Sequence, residues 1–550
     1  MPPRRPIAQL PTHEVANTPP HLGDQDLWSQ DIVLQEGVLR EGAAGSVAKL
    51  AQFGKDAGRA EVMEQADEAN RHAPELRAFD RYGMRINEVR FHPSYHALQE
   101  LAVSNGLSNH AWRNPGPGAH VTHAALNYML NQMEGGVMCP LAMSYAAVPA
   151  LRTTPDVAED WVRGLLSQRY DRRDIPASEK TGLQMGMFMT EKQGGSDVRA
   201  NSTQAVPDGA GYRLTGHKFF CSAPMSDAFL TLAYAPGGLS CFLVPRFTPD
   251  GARNRFYLQR LKDKLGNRSN ASSEMELQDT WGILVGPEGR GVRTIIDMVQ
   301  GTRFYCAFGS AALMRQGLLQ AVHHTRHRAA FQRRLIDQPL MQNVLADLAL
   351  ETEAALTLSL RLGRAIDEAE AGDARAGKLA RIGTAIAKFW ICKRAIQHAA
   401  ETMECHGGPG YIEESPMPRL YREAPVNSIW EGSGNVICLD VLRALHKDPE
   451  TGEVFLEELF AARGGNRDFD QALARLQQDL PSMVADPASA RHLSEQMAVL
   501  WQASLLIRHA PSFVSDGFCS SRLGSRWSGV FGTLRGDAVS RALVDRVASV

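Results

Sequence analysis

Three short stretches of this 550-residue chain hold residue types that could act on a bound small molecule. The first reads Met189, Thr190, Glu191, Lys192, Gln193, Gly194, Gly195, Ser196, Asp197, Val198 and follows an apolar run at 183–188. Its Gly-Gly backbone N–H groups can turn toward an anion, and its hydroxyls and carboxylates add polar contacts. It is not a Walker loop and lacks the GxGxxG of a dinucleotide fold. Gly, Ser and Asp are also the usual turn formers, so a polar link from helix to sheet fits it equally. The second stretch, Glu404-Cys-His-Gly-Gly-Pro-Gly-Tyr-Ile-Glu-Glu, ends a helical segment with glycines able to take positive φ, although a helix stop needs only one of them. In the third, Ser428, Ile429, Trp430, Glu431, Gly432, Ser433, Gly434, Asn435, one carboxylate follows two bulky apolar residues and precedes small ones. Desolvation by Ile429 and Trp430 would raise the pKa of Glu431 toward the range of a general base. A lone Glu is otherwise a solvated surface residue.

These stretches must be held by several structural units, because a chain of this length and 44% hydrophobic composition exceeds what one core organises. Residues 1–22 are proline-rich and read as an arm whose order depends on a partner. Residues 23–182 are rich in Ala, Leu, Met and Glu, broken by Asn114-Pro-Gly-Pro-Gly, and predict a helical unit. Over 183–288 short β-prone runs between Gly, Pro and Asp turns predict a small antiparallel, barrel-like β domain. Helical periodicity returns over 289–450, with long segments near 292–327, 339–371 and 376–405 that form a bundle carrying the second and third stretches. A last helical unit occupies 451–550. The fold class is thus mostly α with a central β domain.

Net charge of −2 offers no global field for nucleic acid or membrane. Eight cysteines without a CxxC pair fit reduced, buried thiols, a cytoplasmic setting and no metal centre. No apolar leader or membrane span is present in the sequence. One local exception to the neutral balance lies near the C-terminus. Arg508, Arg522, Arg526, Arg535, Arg541 and Arg546 outnumber Asp516, Asp537 and Asp545, and four serines interleave them. That composition suits phosphate contacts rather than base readout, and it equally fits a solvated helix surface with ordinary salt bridges. Arg443 is a further phosphate-contact candidate or a structural ion-pair partner.

Taken together, the stretches resemble the acyl-CoA dehydrogenase family. Thr190 to Asp197 is similar to its first signature. Glu404, Gly407, Gly408, Gly410, Tyr411, Glu414, Arg419 and Glu423 fall at the spacings of its second, and Lys264-Leu-Gly-Asn-Arg, Arg328 with Phe331, Leu345-Ala-Asp and Trp430-Glu-Gly-Ser are also family-like. The wording MTEKQGGSDV, RLKDKLGNRSNAS, PRLYRE and PVNSIWEGSGN resembles a branch of flavoproteins from the bacterial adaptive response to DNA alkylation. The resemblance implies the acyl-CoA dehydrogenase fold plus a C-terminal helical domain, an FAD cofactor and a homotetramer. It also implies weak isovaleryl-CoA dehydrogenase activity, an acyl-CoA-like small molecule as ligand, and double-stranded DNA bound through its phosphates by the C-terminal domain. By resemblance, Glu431 is the catalytic base, and the cofactor is walled by Met189–Val198, by Ser222, Ala223 and Pro224, and by Ile429–Asn435. Two departures stand out. Lys218-Phe-Phe-Cys replaces the family's Lys-Trp-Ile-Thr, and Gln332 replaces the glycine after Phe331. The alternative to a DNA-associated protein is a metabolic dehydrogenase of short branched thioesters.

Overall fold

A computed structural model describes residues 7–524, 529–534 and 537–547. Three long helices, Gly291–His327, Pro339–Glu370 and Ala374–Glu404, form the bundle at its centre. The Gly291–His327 helix is buried on nearly every side because other helices surround it. Ala374–Glu404 begins on an Asp373 carboxylate that caps the N–H groups of Arg375 and Ala376. It stops where Gly407 takes φ +64°. That turn releases the chain into the Met417–Asn427 helix and the loop carrying Glu431.

The β unit runs from Met185 to Val285. Gly211–Ser222 pairs antiparallel with Ser272–Val285, which pairs with Gly238–Pro245, which pairs along its length with Ala228–Ala235. Gln204 beside Tyr234 closes the ring, since Gln204–Asp208 pairs with Gly211–Ser222. The unit is not wholly antiparallel: Met185–Phe188 lies parallel to Ala228–Ala235. A ring of strands has no exposed ladder along the closed part. The register of Gly211–Ser222 shifts between Lys218 and Cys221, a bulge that re-aims the strand end.

One expectation fails near the N-terminus. The helical reading of 23–182 missed the hairpin Glu75–Phe79 with Arg85–Arg90. Its strands, ELRAF and RINEVR, are too charged to read as β from propensity. They persist because Asn87 Nδ2 and Arg85 Nη1 donate to the backbone oxygens of Phe256 and Leu258. The described part of the 1–22 arm bonds to the chain itself. Asn17 exchanges two hydrogen bonds with Ala329, at 2.8 and 2.7 Å, and Arg328 donates to the Asn17 carbonyl.

The C-terminal helices Pro449–Phe460, Arg467–Ala485, Ala490–His509, Ser512–Arg522 and Asp537–Val547 share the bundle's core. The fully buried Trp501 ring lies where a Cβ on Gly383 would stand, 2.6 Å from Cη2. Only glycine lets the two helices approach so closely. Among the described residues no helix is long and apolar enough to cross a membrane.

Candidate active site

Glu431 sits on the loop between Met417–Asn427 and Gly434–Lys447 with φ +58°, in the left-handed region, and Gly432 follows at φ +104°. A non-glycine residue there is strained by about 1–3 kcal/mol and persists only when its surroundings hold it. Two cations do so. Arg303 Nε donates to the Glu431 carbonyl at 2.9 Å, and the buried Lys388 ammonium donates to the Gly432 carbonyl. Arg303 is itself fixed by Asp440 at 2.9 Å, a carboxylate shared with Arg381. At the other end the Thr302 hydroxyl donates to Glu431 Oε2 at 2.8 Å. Burial raises the pKa of Glu431, and the Thr302 hydrogen bond with the charges of Arg303 and Lys388 offsets part of that rise. Sequence reasoning missed Thr302, Arg303, Lys388 and Asp440, because they lie on three helices and no local pattern links them.

The β unit supplies the facing wall. The bulge frees the Phe219 N–H from its ladder, and it donates to the Thr190 carbonyl at 2.8 Å, so the 189–198 loop runs beside Lys218 and Phe219. Lys192 N–H donates to His217 Nε2. Within that loop Glu191 turns inward, not outward as the sequence reading had it. Its buried carboxylate accepts from Lys218, Thr203 and Ser202, which hold it well below the usual carboxylate range despite burial. Glu191 therefore anchors the loop and leaves no oxygen for a ligand. Lys192 pairs with Glu276 at the surface. Met189 and Val198 pack on the main core, Gln193 bonds back to Glu191, and Asp197 caps the N–H of Arg199. Gly194, with φ +143° and open space beside it, Gly195 and Ser196 remain turned outward.

Ser222 exchanges a hydrogen bond with Ser272 at 3.0 Å, and Ala223, with φ +50°, donates to the Ala271 carbonyl. The Pro224 carbonyl accepts from Arg246. The two walls meet at Cys139, whose buried thiol interacts with Ser222 and Asn270 and with the charges of Lys264 and Glu431, and burial pushes it up to about 12. The Ser222–Pro224 turn and the Glu431 loop thus both act on the Cys139 thiol. Within the Glu431 loop, Trp430 Nε1 donates to Asn427, Ile429 is 63% exposed, and Asn435 accepts from Arg491 at 2.8 Å. The second signature is scaffolding. Glu423 accepts from the N–H and side chain of Asn267, at 2.6 and 2.7 Å, and Arg419 joins Asp67.

The arginines fare differently. Arg522 is a correction: its guanidinium, 2% exposed, lies in the core between Asp347 and Glu351 and cannot reach a phosphate. Arg546 is likewise held between Glu36 and Glu353, and Arg508 by Glu458. Arg443 and Arg541 are exposed, each beside an Asp. Arg526 and Arg535 lie outside the described residues. A separate surface trio, Glu68, His72 and His92, has metal-ligand composition. Its imidazoles stack at 4.8 Å, so their in-plane lone pairs do not converge.

Comparison with known proteins places this geometry in a family. Residues 17–172 match the adaptive response protein AidB N-terminal domain, 186–280 the acyl-CoA dehydrogenase middle domain and 289–446 its C-terminal domain. The chain belongs to the acyl-CoA dehydrogenase family, in the branch with an AidB-type N-terminal domain, and is an FAD-dependent oxidoreductase of that type. It is 46% identical to the putative acyl-CoA dehydrogenase AidB of Escherichia coli K12 over 94% of this chain and 95% of that one. It is 30% identical to acyl-CoA dehydrogenase family member 11 of Caenorhabditis elegans over 84% and 80% of the two chains. The crystal structure of Caenorhabditis elegans ACDH-11 in complex with C11-CoA superposes with a TM-score of 0.86, at 26% identity, covering 97% of each chain.

The residues present fit FAD. The Gly434–Lys447 helix opens on Ser433, whose side chain does not cap it, and its first turn holds no acidic residue. A Cβ on Gly434 would stand 2.9 Å from Lys393 and 3.3 Å from Arg491. An uncapped helix start flanked by two cations suits a pyrophosphate.

Proposed function

We propose that the chain dehydrogenates an acyl-CoA thioester with Glu431 as base. The observation that carries this reading is the Glu431 carboxylate itself: strained in backbone, raised in pKa, and fixed by Thr302 at its oxygen and by Arg303 and Lys388 behind it. Bound FAD would supply the acceptor for the β-hydrogen as hydride. Glu431 takes the α-proton onto a carboxylate whose burial favours the protonated product. Gly194, Gly195, Ser196, Ser222, Ala223, Pro224 and Ile429 to Asn435 wall the cofactor, with Gly434 and Asn435 toward its pyrophosphate. Phe219 and Phe220, standing where the family carries Trp and Ile, support a weak activity on a short branched thioester such as isovaleryl-CoA. Steady-state turnover across a panel of acyl-CoA thioesters tests this. Measurable turnover of the short branched members supports it, and none with any member refutes it.

A second reading adds double-stranded DNA as a partner in an alkylation response, with the chain in the cytoplasm as a homotetramer. The match to the adaptive response domain at 17–172 favours it. Among the described residues its phosphate contacts then fall to Arg443 and Arg541, which are exposed. Phe331, 95% exposed at the tip of a hairpin, is the kind of residue a second subunit would cover. Retardation of duplex DNA at low salt, weakening steeply as salt rises, is the expected result. The burial of Arg522 and Arg546 favours the alternative, a metabolic dehydrogenase without a DNA role.

A further inference from the structure

The AidB-type N-terminal domain brings something the dehydrogenase chemistry does not use. A cavity of about 620 Å³ lies where the Arg85–Arg90 strand, the Pro93–Ser104 helix and the 170–180 segment meet the turn Ala223–Asp227 of the β unit. That volume is in the range of small-ligand sites. Of the candidate cofactor-wall residues only Ala223 borders it, and Glu431, Thr302 and Trp430 do not.

The lining has two characters. Val89, Phe91 and Met225 give an apolar wall. The charged residues almost cancel, and which one is left over decides the ligand. Asp171 holds Arg173 at 2.6 Å, Asp174 holds Arg253 at 2.7 Å, Asp227 holds Lys180 at 2.6 Å, and Glu88 lies 3.6 Å from Arg90. Arg172 pairs with no carboxylate among the described residues. His96, hydrogen-bonded to Tyr170 at 2.8 Å, adds no second charge, since burial and the neighbouring Arg172 push its pKa down to about 4.

An independent observation points the same way. Ser226, 2% exposed, lines the cavity, and its hydroxyl has no hydrogen-bond partner. A buried hydroxyl without a partner costs about 1–3 kcal/mol, which a ligand atom placed against it would recover.

We propose that this cavity binds a small amphipathic anion, its apolar body against Val89, Phe91 and Met225, its headgroup at Arg172, and a polar atom on Ser226. A carboxylate and a phosphate headgroup share this chemistry, so both serve as probes.

The test is calorimetric titration of the full-length holoprotein with dodecanoate, dodecyl phosphate and dodecyltrimethylammonium, each below its micellar concentration. Saturable one-to-one binding of at least one anion, with the cation at least tenfold weaker, is expected. The stronger anion identifies the headgroup. Arg172→Glu, at an exposed position, should weaken the anion at least tenfold. Ser226→Ala should weaken it severalfold while leaving the Tm of the unliganded protein unchanged or raised, since it removes an unsatisfied group. Absence of binding, equal binding of cation and anion, or affinity unchanged in Arg172→Glu would overturn the proposal. A Ser226→Ala protein that loses stability without ligand would show that the hydroxyl already has a structural role and would overturn that contact.

Discussion

The Glu431 loop and the C-terminal arginine run are both charged segments bordered by small residues, yet the fold uses them in opposite ways. In the first, the cations Arg303 and Lys388 come from other helices and bind backbone carbonyls, so the Glu431 carboxylate stays available, with only Thr302 among the described residues donating to it. In the second, Arg522 and Arg546 are consumed by carboxylates of the bundle and the N-terminal unit, Asp347, Glu351, Glu353 and Glu36. Charge is functional when its partners leave a valence open and structural when they close it.

That contrast can be broken at several points. The largest effect belongs to Glu431→Gln, which should lower dehydrogenation by ~10²–10⁴ while flavin content, measured by absorbance, is retained. Flavin loss alongside activity would mean that the carboxylate holds the loop together. Arg522→Ala leaves the buried Asp347 without its cation, while Glu351 keeps Arg394 at 3.0 Å, and should cost about 3–5 kcal/mol in denaturant unfolding. A near-neutral change would contradict the reading of Arg522 as a structural ion pair. Thr302→Val removes a hydrogen bond that stabilises the charged form of Glu431, so the already raised pKa rises further. Because the carboxylate is the active form, the acid limb of the kcat/KM profile should move to higher pH. An unmoved limb at reduced kcat would assign Thr302 a different role. Smallest is the effect of Arg443→Ala or Arg541→Ala on DNA retardation. Each should weaken it only a few fold and lower the salt slope by about one. Arg541→Ala binding DNA as the wild type does would remove that residue from the interface.

The bundle was legible in the sequence because its helices are long and their periodicity persists: the segment near 339–371 is the helix Pro339–Glu370. The Glu75–Arg90 hairpin was not, since its strands are stabilised by side chains reaching Phe256 and Leu258, far along the chain. At the site, the Glu431 loop was readable as a carboxylate among apolar neighbours, whereas Thr302 and Lys388 give no local sign of facing it. Glu191 and Arg522 failed for one reason. Composition marks a charged residue as able to meet a ligand, but only the fold decides whether Lys218 or Asp347 meets it first.

The most direct measurement is the anaerobic mixing of isovaleryl-CoA with the yellow holoprotein, wild type and Glu431→Gln, followed by flavin absorbance. A base at Glu431 predicts bleaching of the wild type and a variant that stays yellow. Bleaching of both at the same rate would contradict it.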